Sequence, residues 1–207
     1  MFIEQSTTDV REKIIEAARK LFVNKGFKGT TVRDIAAASD TNVAMVNYYF
    51  RSKHNLFEEI FNESFDLLTE KIFSIVSSDV SFFDMLNNWV DVYYDVLIEN
   101  PQLPMFVIHE INQNPESLIK RLSTKEPHQL YIRLAERIKE EEEKGTIRET
   151  SVADFLLNMI SLCMYPFMFS TVASLFLDMS ENDYMDKMKS HKTYVKEFTI
   201  NAIKSEV

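Results

Sequence analysis

Glycine and proline are scarce in this sequence, three and five among 207 residues. A sheet protein of that length needs many tight turns, and turns draw on those two residues, so the scarcity favours long helices. Cysteine is rarer still. The lone Cys163 excludes an intramolecular disulfide. Its apolar surroundings raise a thiol's pKa, so it reads as an inert core residue rather than a redox sensor. The four histidines, His54, His109, His128 and His191, have no metal-ligand spacing, and there is no Gly-rich phosphate loop or nucleophile motif. No metal, cofactor or catalytic residue is therefore assigned, and an enzyme survives only as a reading that needs residues distant in sequence. The opening MFIEQSTTDVREK lacks the apolar run of about 7 to 15 residues found in a secretory signal. Together with the single cysteine, this points to a reducing, cytoplasmic setting.

What is present suits a folded helical chain. Hydrophobic residues make up 45% and charged residues 27%, enough apolar surface to fold rather than stay disordered. The formal charge of −9 has the wrong sign for a partner of nucleic acid until it is divided along the chain. Residues 1–57 hold nine Lys/Arg against six Asp/Glu, a local +3, which leaves −12 on the remainder. A basic head on an acidic body suits a protein that meets phosphates with one end only.

Apolar residues at Val10, Ile14, Ala17, Ala18, Leu21 and Phe22 share one helical face and predict a first helix over about residues 9–25. Asp9 with Glu12 is its expected cap, and Gly26 supplies the left-handed residue that stops it. Thr31 followed by Asp34 reads as a variant capping box for a second helix over about 32–39, and Asn42 caps a third over about 43–49. Val46 and Phe50 share a face with Ile35 and belong to the core. Three short helices, the last two joined by the tight turn Ser39-Asp40-Thr41-Asn42, form the pattern of a helix-turn-helix unit. From residue 53 a longer helix places Leu56, Phe57, Ile60, Phe61, Phe65, Leu68, Ile72 and Ile75 on one side. Amphipathic segments follow at roughly 82–99, 103–113, 115–123 and 127–144, broken by prolines, then an almost wholly apolar segment at 151–177 and an amphipathic one at 181–204. On the last, Tyr184, Met188, Tyr194, Phe198 and Ile203 are the apolar positions. The fold class is all-α, with a head over 1–52 and a helical bundle over 53–207. The charge run at 139–145 is a solvated helix end.

Residues 27–56, FKGTTVRDIAAASDTNVAMVNYYFRSKHNL, resemble the tetracycline-repressor-like (TetR) family of regulators. The resemblance is carried by Lys25-Gly26-Phe27 at the end of the first helix, Thr31, Ile35-Ala36, Tyr49-Phe50, Ser52-Lys53 and Leu56, and it covers about residues 9–57. Two departures stand out. The family's Ala-Gly-Val-Ser turn is here Ser39-Asp40-Thr41-Asn42, in which Asp40 tolerates the left-handed conformation and Asn42 caps as well as Ser. Asn47 replaces a commonly aromatic residue, so the operator is not borrowed from relatives. The resemblance implies a DNA-binding transcriptional regulator, most simply a repressor, with no enzymatic role. The third helix would enter the major groove, presenting Val43, Ala44, Met45, Asn47 and Tyr48 to base edges. Lys28, Thr30, Thr31, Arg33, Asn42, Tyr49 and Lys53 would position the DNA backbone.

In the resembled family the last two long helices form a four-helix dimer interface, and segments 151–177 and 181–204 occupy that place. A homodimer would meet a near-palindromic double-stranded operator. Residues 155–177 carry no charge over 23 positions, long enough to span a bilayer. Their polar residues, Pro166 and the lack of a basic flank favour a buried helix over a membrane-tethered regulator. The body's many Phe, Met and Tyr residues suit an apolar or aromatic effector of unknown identity. Trp89, Tyr93, Phe106, His109, Met164 and Phe167 are the candidate lining, with His109 and Tyr93 orienting one polar group.

Overall fold

The computed structural model describes residues 2–113 and 115–205, with the side chains of 10–112, 115, 116 and 118–205. The described residues form helices α1 (Phe2–Gly29), α2 (Val32–Ala38), α3 (Val43–Phe50), α4 (Lys53–Val76), α5 (Phe82–Glu99), α6 (Leu103–Gln113), α7 (Pro115–Ser123), α8 (Pro127–Glu143), α9 (Val152–Met168), α10 (Ser170–Phe176) and α11 (Glu181–Ile203). Among these residues the only β pairing is an isolated bridge, Ile147 with Lys204. The chain divides into two compact units, residues 1–65 and 66–207. The division lies inside α4, later than the boundary after residue 52 expected from the sequence.

That shift has a local cause in the head. Leu56, Ile60 and Phe61 of α4 are buried together with Ile14, Ala18 and Phe22 of α1, and the Phe22 and Phe57 rings meet edge to face at 5.1 Å. Polar ties follow the same seam: Arg11 pairs with Glu59, and Arg19 donates to Ser64 Oγ at 3.0 Å. The first three turns of α4 therefore complete the head's core. Ile35 and Ala36 of α2 and Val46 and Phe50 of α3 are also buried. The α1 helix runs back to Phe2, so Asp9 is not its first residue. The cap expected of the Asp9 side chain lies outside the described residues. Gly26, at φ 68° and ψ 171°, breaks the helical path where a left-handed residue is needed.

The body is organised around α5, whose Met85, Leu86, Trp89, Val90, Tyr94 and Leu97 are almost wholly buried. Both α9 and α11 pack against it: Tyr94 meets Phe167 of α9 edge to face at 5.4 Å. Lys192 and Lys196 of α11 pair with Asp91 at 3.2 and 2.6 Å. Burial of Asp91 acts to raise its pKa, but the bonds from Lys196 and Lys192 outweigh that and hold the carboxyl below its ordinary value. Arg137 of α8 donates to the carbonyls of Val76, Ser78 and Val80, satisfying the last carbonyl of α4 and two in the loop that follows it.

Two readings of the body need correction. Segment 151–177 is not one helix: α9 and α10 meet at a bend of 73°. Pro166 lies in the last turn of α9, and its carbonyl accepts the Tyr184 hydroxyl at 2.8 Å. No single described helix is long and apolar enough to cross a membrane. On α11 the buried stripe is Tyr184, Met188, Val195, Thr199 and Ile203, whereas Tyr194 and Phe198 point outward. Steps of four, seven, four and four keep the first set on one face, and Tyr194 and Phe198 fall on the adjoining one.

Candidate nucleic-acid interface

The α2–turn–α3 geometry is fixed locally at each junction. The Thr31 hydroxyl accepts the Asp34 amide at 3.1 Å, and Asp34 accepts the Thr31 amide at 2.9 Å and its hydroxyl at 2.8 Å. These bonds, the backbone one first, hold the Asp34 carboxyl below its ordinary value. The capping box is thus complete. In the turn, Asp40 adopts φ 52°, the conformation that glycine otherwise provides. Ser39 Oγ, buried, donates to the Ile35 carbonyl at 2.8 Å and lies 2.8 Å from Thr41 Oγ1. Asn42 Oδ1 accepts the Met45 amide at 2.9 Å, starting α3.

With both ends of α3 defined, its two faces separate cleanly. Val46 and Phe50 are buried, while Val43, Ala44, Asn47 and Tyr48 are exposed and Met45 is half-buried. Tyr48 is 77% exposed, with its ring edge to face with Tyr49 at 5.2 Å. Of the five residues expected to face bases, Val43, Ala44, Asn47 and Tyr48 lie on the exposed face of α3 and Met45 at its edge. Tyr49 is half-buried, and its hydroxyl is enclosed without a hydrogen-bond partner. Lys28, Thr31, Arg33 and Asn42 are exposed.

Two of the backbone-positioning residues sit differently from expectation. Thr30 is fully buried, and its hydroxyl donates to the carbonyls of Leu21 at 3.1 Å and Gly26 at 2.9 Å. It closes the end of α1 and is not a phosphate contact. Lys53 donates to the carbonyls of Phe27 at 2.7 Å and Thr30 at 2.8 Å, so one of its three N–H groups remains. Arg51 is the C-cap residue of α3. It is exposed at φ 62° and adds a positive charge beside Ser52-Lys53.

In the body, Trp89, Tyr93, Phe106 and Phe167 are buried and Met164 is half-buried, but His109 is exposed. His109 therefore does not orient a group inside the body: its position on α6 turns it to solvent. Trp89 stacks on Tyr93 with ring centroids 6.2 Å apart, and the indole N–H of Trp89 is buried without a partner. Burial pushes the Cys163 thiol up to about 12. A cleft of about 490 Å³ lies elsewhere, between α9 and α11, with Phe155, Met159, Leu162, Phe198 and Ile203 as its apolar lining. It contains none of the six residues expected to line a pocket.

Residues 14–60 match the family described as bacterial regulatory proteins, tetR family. The Bacillus subtilis protein named "Probable HTH-type transcriptional regulator YttP" is 31% identical over 161 residues, covering 76% of this chain and 77% of that one. The Staphylococcus aureus biofilm operon icaADBC HTH-type negative transcriptional regulator IcaR is 33% identical over 90 residues, covering 44% of this chain and 45% of that one. Among solved structures, the ketosteroid transcriptional regulator KstR2 of Mycobacterium tuberculosis superposes with a TM-score of 0.66 over 95% of both chains at 16% identity, a likeness of fold. The YttP match extends well beyond the head, and the chain belongs to the TetR family of DNA-binding transcriptional regulators.

Proposed function

We propose that the head, residues 1–65, binds a near-palindromic operator and that the body, residues 66–207, dimerises and senses an effector, so that the chain represses transcription until a ligand releases it. It acts in the cytoplasm, by binding and not by catalysis. The observation that carries the DNA reading is the outer face of α3, where Val43, Ala44, Asn47 and Tyr48 are exposed on a helix capped by Asn42. Met45 stands at the edge of this face. Apolar side chains there favour thymine methyl groups, and Asn47 offers the polar readout. Lys28, Thr31, Arg33, Asn42 and Tyr49, with the remaining N–H of Lys53, hold phosphates. The Tyr49 hydroxyl is enclosed in the free chain, so it reaches a phosphate only where its surroundings open on binding. The IcaR relative is named a negative regulator, which supports repression.

Dimerisation runs through residues 151–177 and 181–204, on α9, α10 and α11. The effector is an apolar or aromatic small molecule held near Trp89, Tyr93, Phe106, Met164 and Phe167. The unpaired Trp89 indole N–H supports a ligand carrying one hydrogen-bond acceptor, because a buried unpaired donor costs about 1–3 kcal/mol. Ligand binding would shift the population toward a head spacing that no longer fits the operator. Selecting bound fragments from random DNA tests the reading, followed by a screen for small molecules that release the best fragment. Two-fold related half-sites about one helical turn apart, or a multiple of it, are expected. Recovery of fragments with no common sequence would overturn it.

A further inference from the structure

Two features of the body, an exposed apolar group and an apolar cleft, are complementary. At the end of α10 three consecutive large apolar side chains, Leu175, Phe176 and Leu177, are exposed by 80, 79 and 54%. Singly scattered exposed apolar residues are ordinary, but a contiguous group marks a contact surface. The second feature is the cleft of about 490 Å³ between α9 and α11, lined by Phe155, Met159, Leu162, Phe198 and Ile203. The cleft involves the first half of α9 and the last turns of α11, and the α10 hook follows the end of α9 and precedes α11. From Met159 to Met168 the helix advances about 14 Å before the 73° bend into α10. One copy's hook therefore stands apart from its own cleft.

We propose that the α10 hook of one copy fills the α9–α11 cleft of a second copy. This rests on the reading that the chain dimerises through these helices, and it specifies which parts meet. A two-fold axis crossing α9 between cleft and hook lays the two α9 helices antiparallel. Each hook then reaches the partner's cleft, and the exchange occurs twice. Reciprocity closes the assembly, whereas the same knob and hole without a two-fold axis would propagate a filament.

Two further observations favour a second copy as the occupant. The exposed aromatics Tyr165 and Tyr194 lie between hook and cleft along α9 and α11, so the apolar surface continues from one to the other. Asp178, next to the hook's Leu177, and Arg148, at the cleft's edge, are both exposed and oppositely charged. A free small molecule finds no single charge sign to select it, because Arg148, Glu149 and Asp154 all border the cleft.

The test uses the full chain with Phe176→Cys, with Asn158→Cys at the cleft, and with both. Cys163 is buried and stays out of the reaction. Under oxidation, a covalent dimer is expected from the double variant and from a mixture of the two single variants, but from neither single variant alone. Sedimentation of the wild-type chain is run beside it. A wild-type dimer with no 158–176 cross-link, or with a cross-link in Phe176→Cys alone, overturns the hook-in-cleft arrangement and leaves the dimer reading standing. A wild-type monomer at micromolar concentration overturns both. Phe176→Asp gives an independent measure: the dimer dissociation constant is expected to rise on the order of 100-fold, about tenfold for each of two hooks. An unchanged constant overturns the proposal.

Discussion

The Lys53 ammonium lies 4.1 Å from the centre of the Phe27 ring while donating to the Phe27 and Thr30 carbonyls. One side chain at the start of α4 thus closes the end of α1, through two charge-assisted bonds and a cation–π contact. Lys53→Ala removes all three. It is expected to destabilise the head by roughly 2–3 kcal/mol as well as to weaken DNA binding. Lys53→Arg restores part of the stability and keeps the charge. Urea unfolding measures the first effect, and the slope of operator affinity against salt measures the second. A variant that unfolds like the wild type while losing only salt slope would show a phosphate contact without the latch.

Thr30 and Thr31 are adjacent and do opposite work. Thr30→Val replaces a buried hydroxyl that serves two carbonyls, and its expected cost is about 1–2 kcal/mol of stability with the salt slope unchanged. Thr31→Ala dismantles the exposed capping box, which costs about 1 kcal/mol, and lowers operator affinity too. Thermal unfolding of the two variants beside a binding titration separates these outcomes. Equal loss of operator affinity in both would contradict the buried placement of Thr30.

The difference between these neighbours also shows what sequence reasoning reads and what it misses. Helix limits in the body were legible because each is set locally: Ser81, Ser151 and Ser180 cap their helices, and Pro115 and Pro127 begin theirs. The α3 face was legible because burial of Val46 and Phe50 fixes which residues point out. Thr30 was not, because its two acceptors lie four and nine residues back, a return path created by the break at Gly26. The bend after Met168 and the outward turn of Tyr194 and Phe198 depend on packing between helices far apart in the chain. Periodicity within a single helix carries no record of that.

Asn47 and Tyr48 are neighbours on the exposed face of α3, and neither contributes to the core. Asn47→Ala is expected to change stability by under about 0.5 kcal/mol and to change the sequences recovered by selection on random DNA. A mismatched position costs about 1–3 kcal/mol of operator affinity, so the variant's discrimination at one base pair should fall by about tenfold or more. Recovery of an identical sequence set would remove Asn47 from the base-reading face.

Tyr94 and His191 make the body sensitive to acid. The Tyr94 hydroxyl lies 2.7 Å from His191 Nδ1, and burial, then the charge of Lys187, lowers the His191 pKa from its ordinary 6.5. The neutral ring is favoured because burial and the nearby Lys187 charge both penalise the imidazolium. The folded pKa lies below the unfolded one, so the unfolded chain binds more protons between the two values. Stability is therefore complete above about pH 6.5, the ordinary histidine value, and declines as pH falls through the lower folded value. His191→Gln, which keeps a hydrogen-bonding group without a titrating ring, should flatten that decline while leaving the acid loss below pH 4 that carboxylates such as Asp34 cause. Melting temperatures of both chains between pH 7.5 and pH 5 measure it. Parallel curves would assign the sensitivity to other groups.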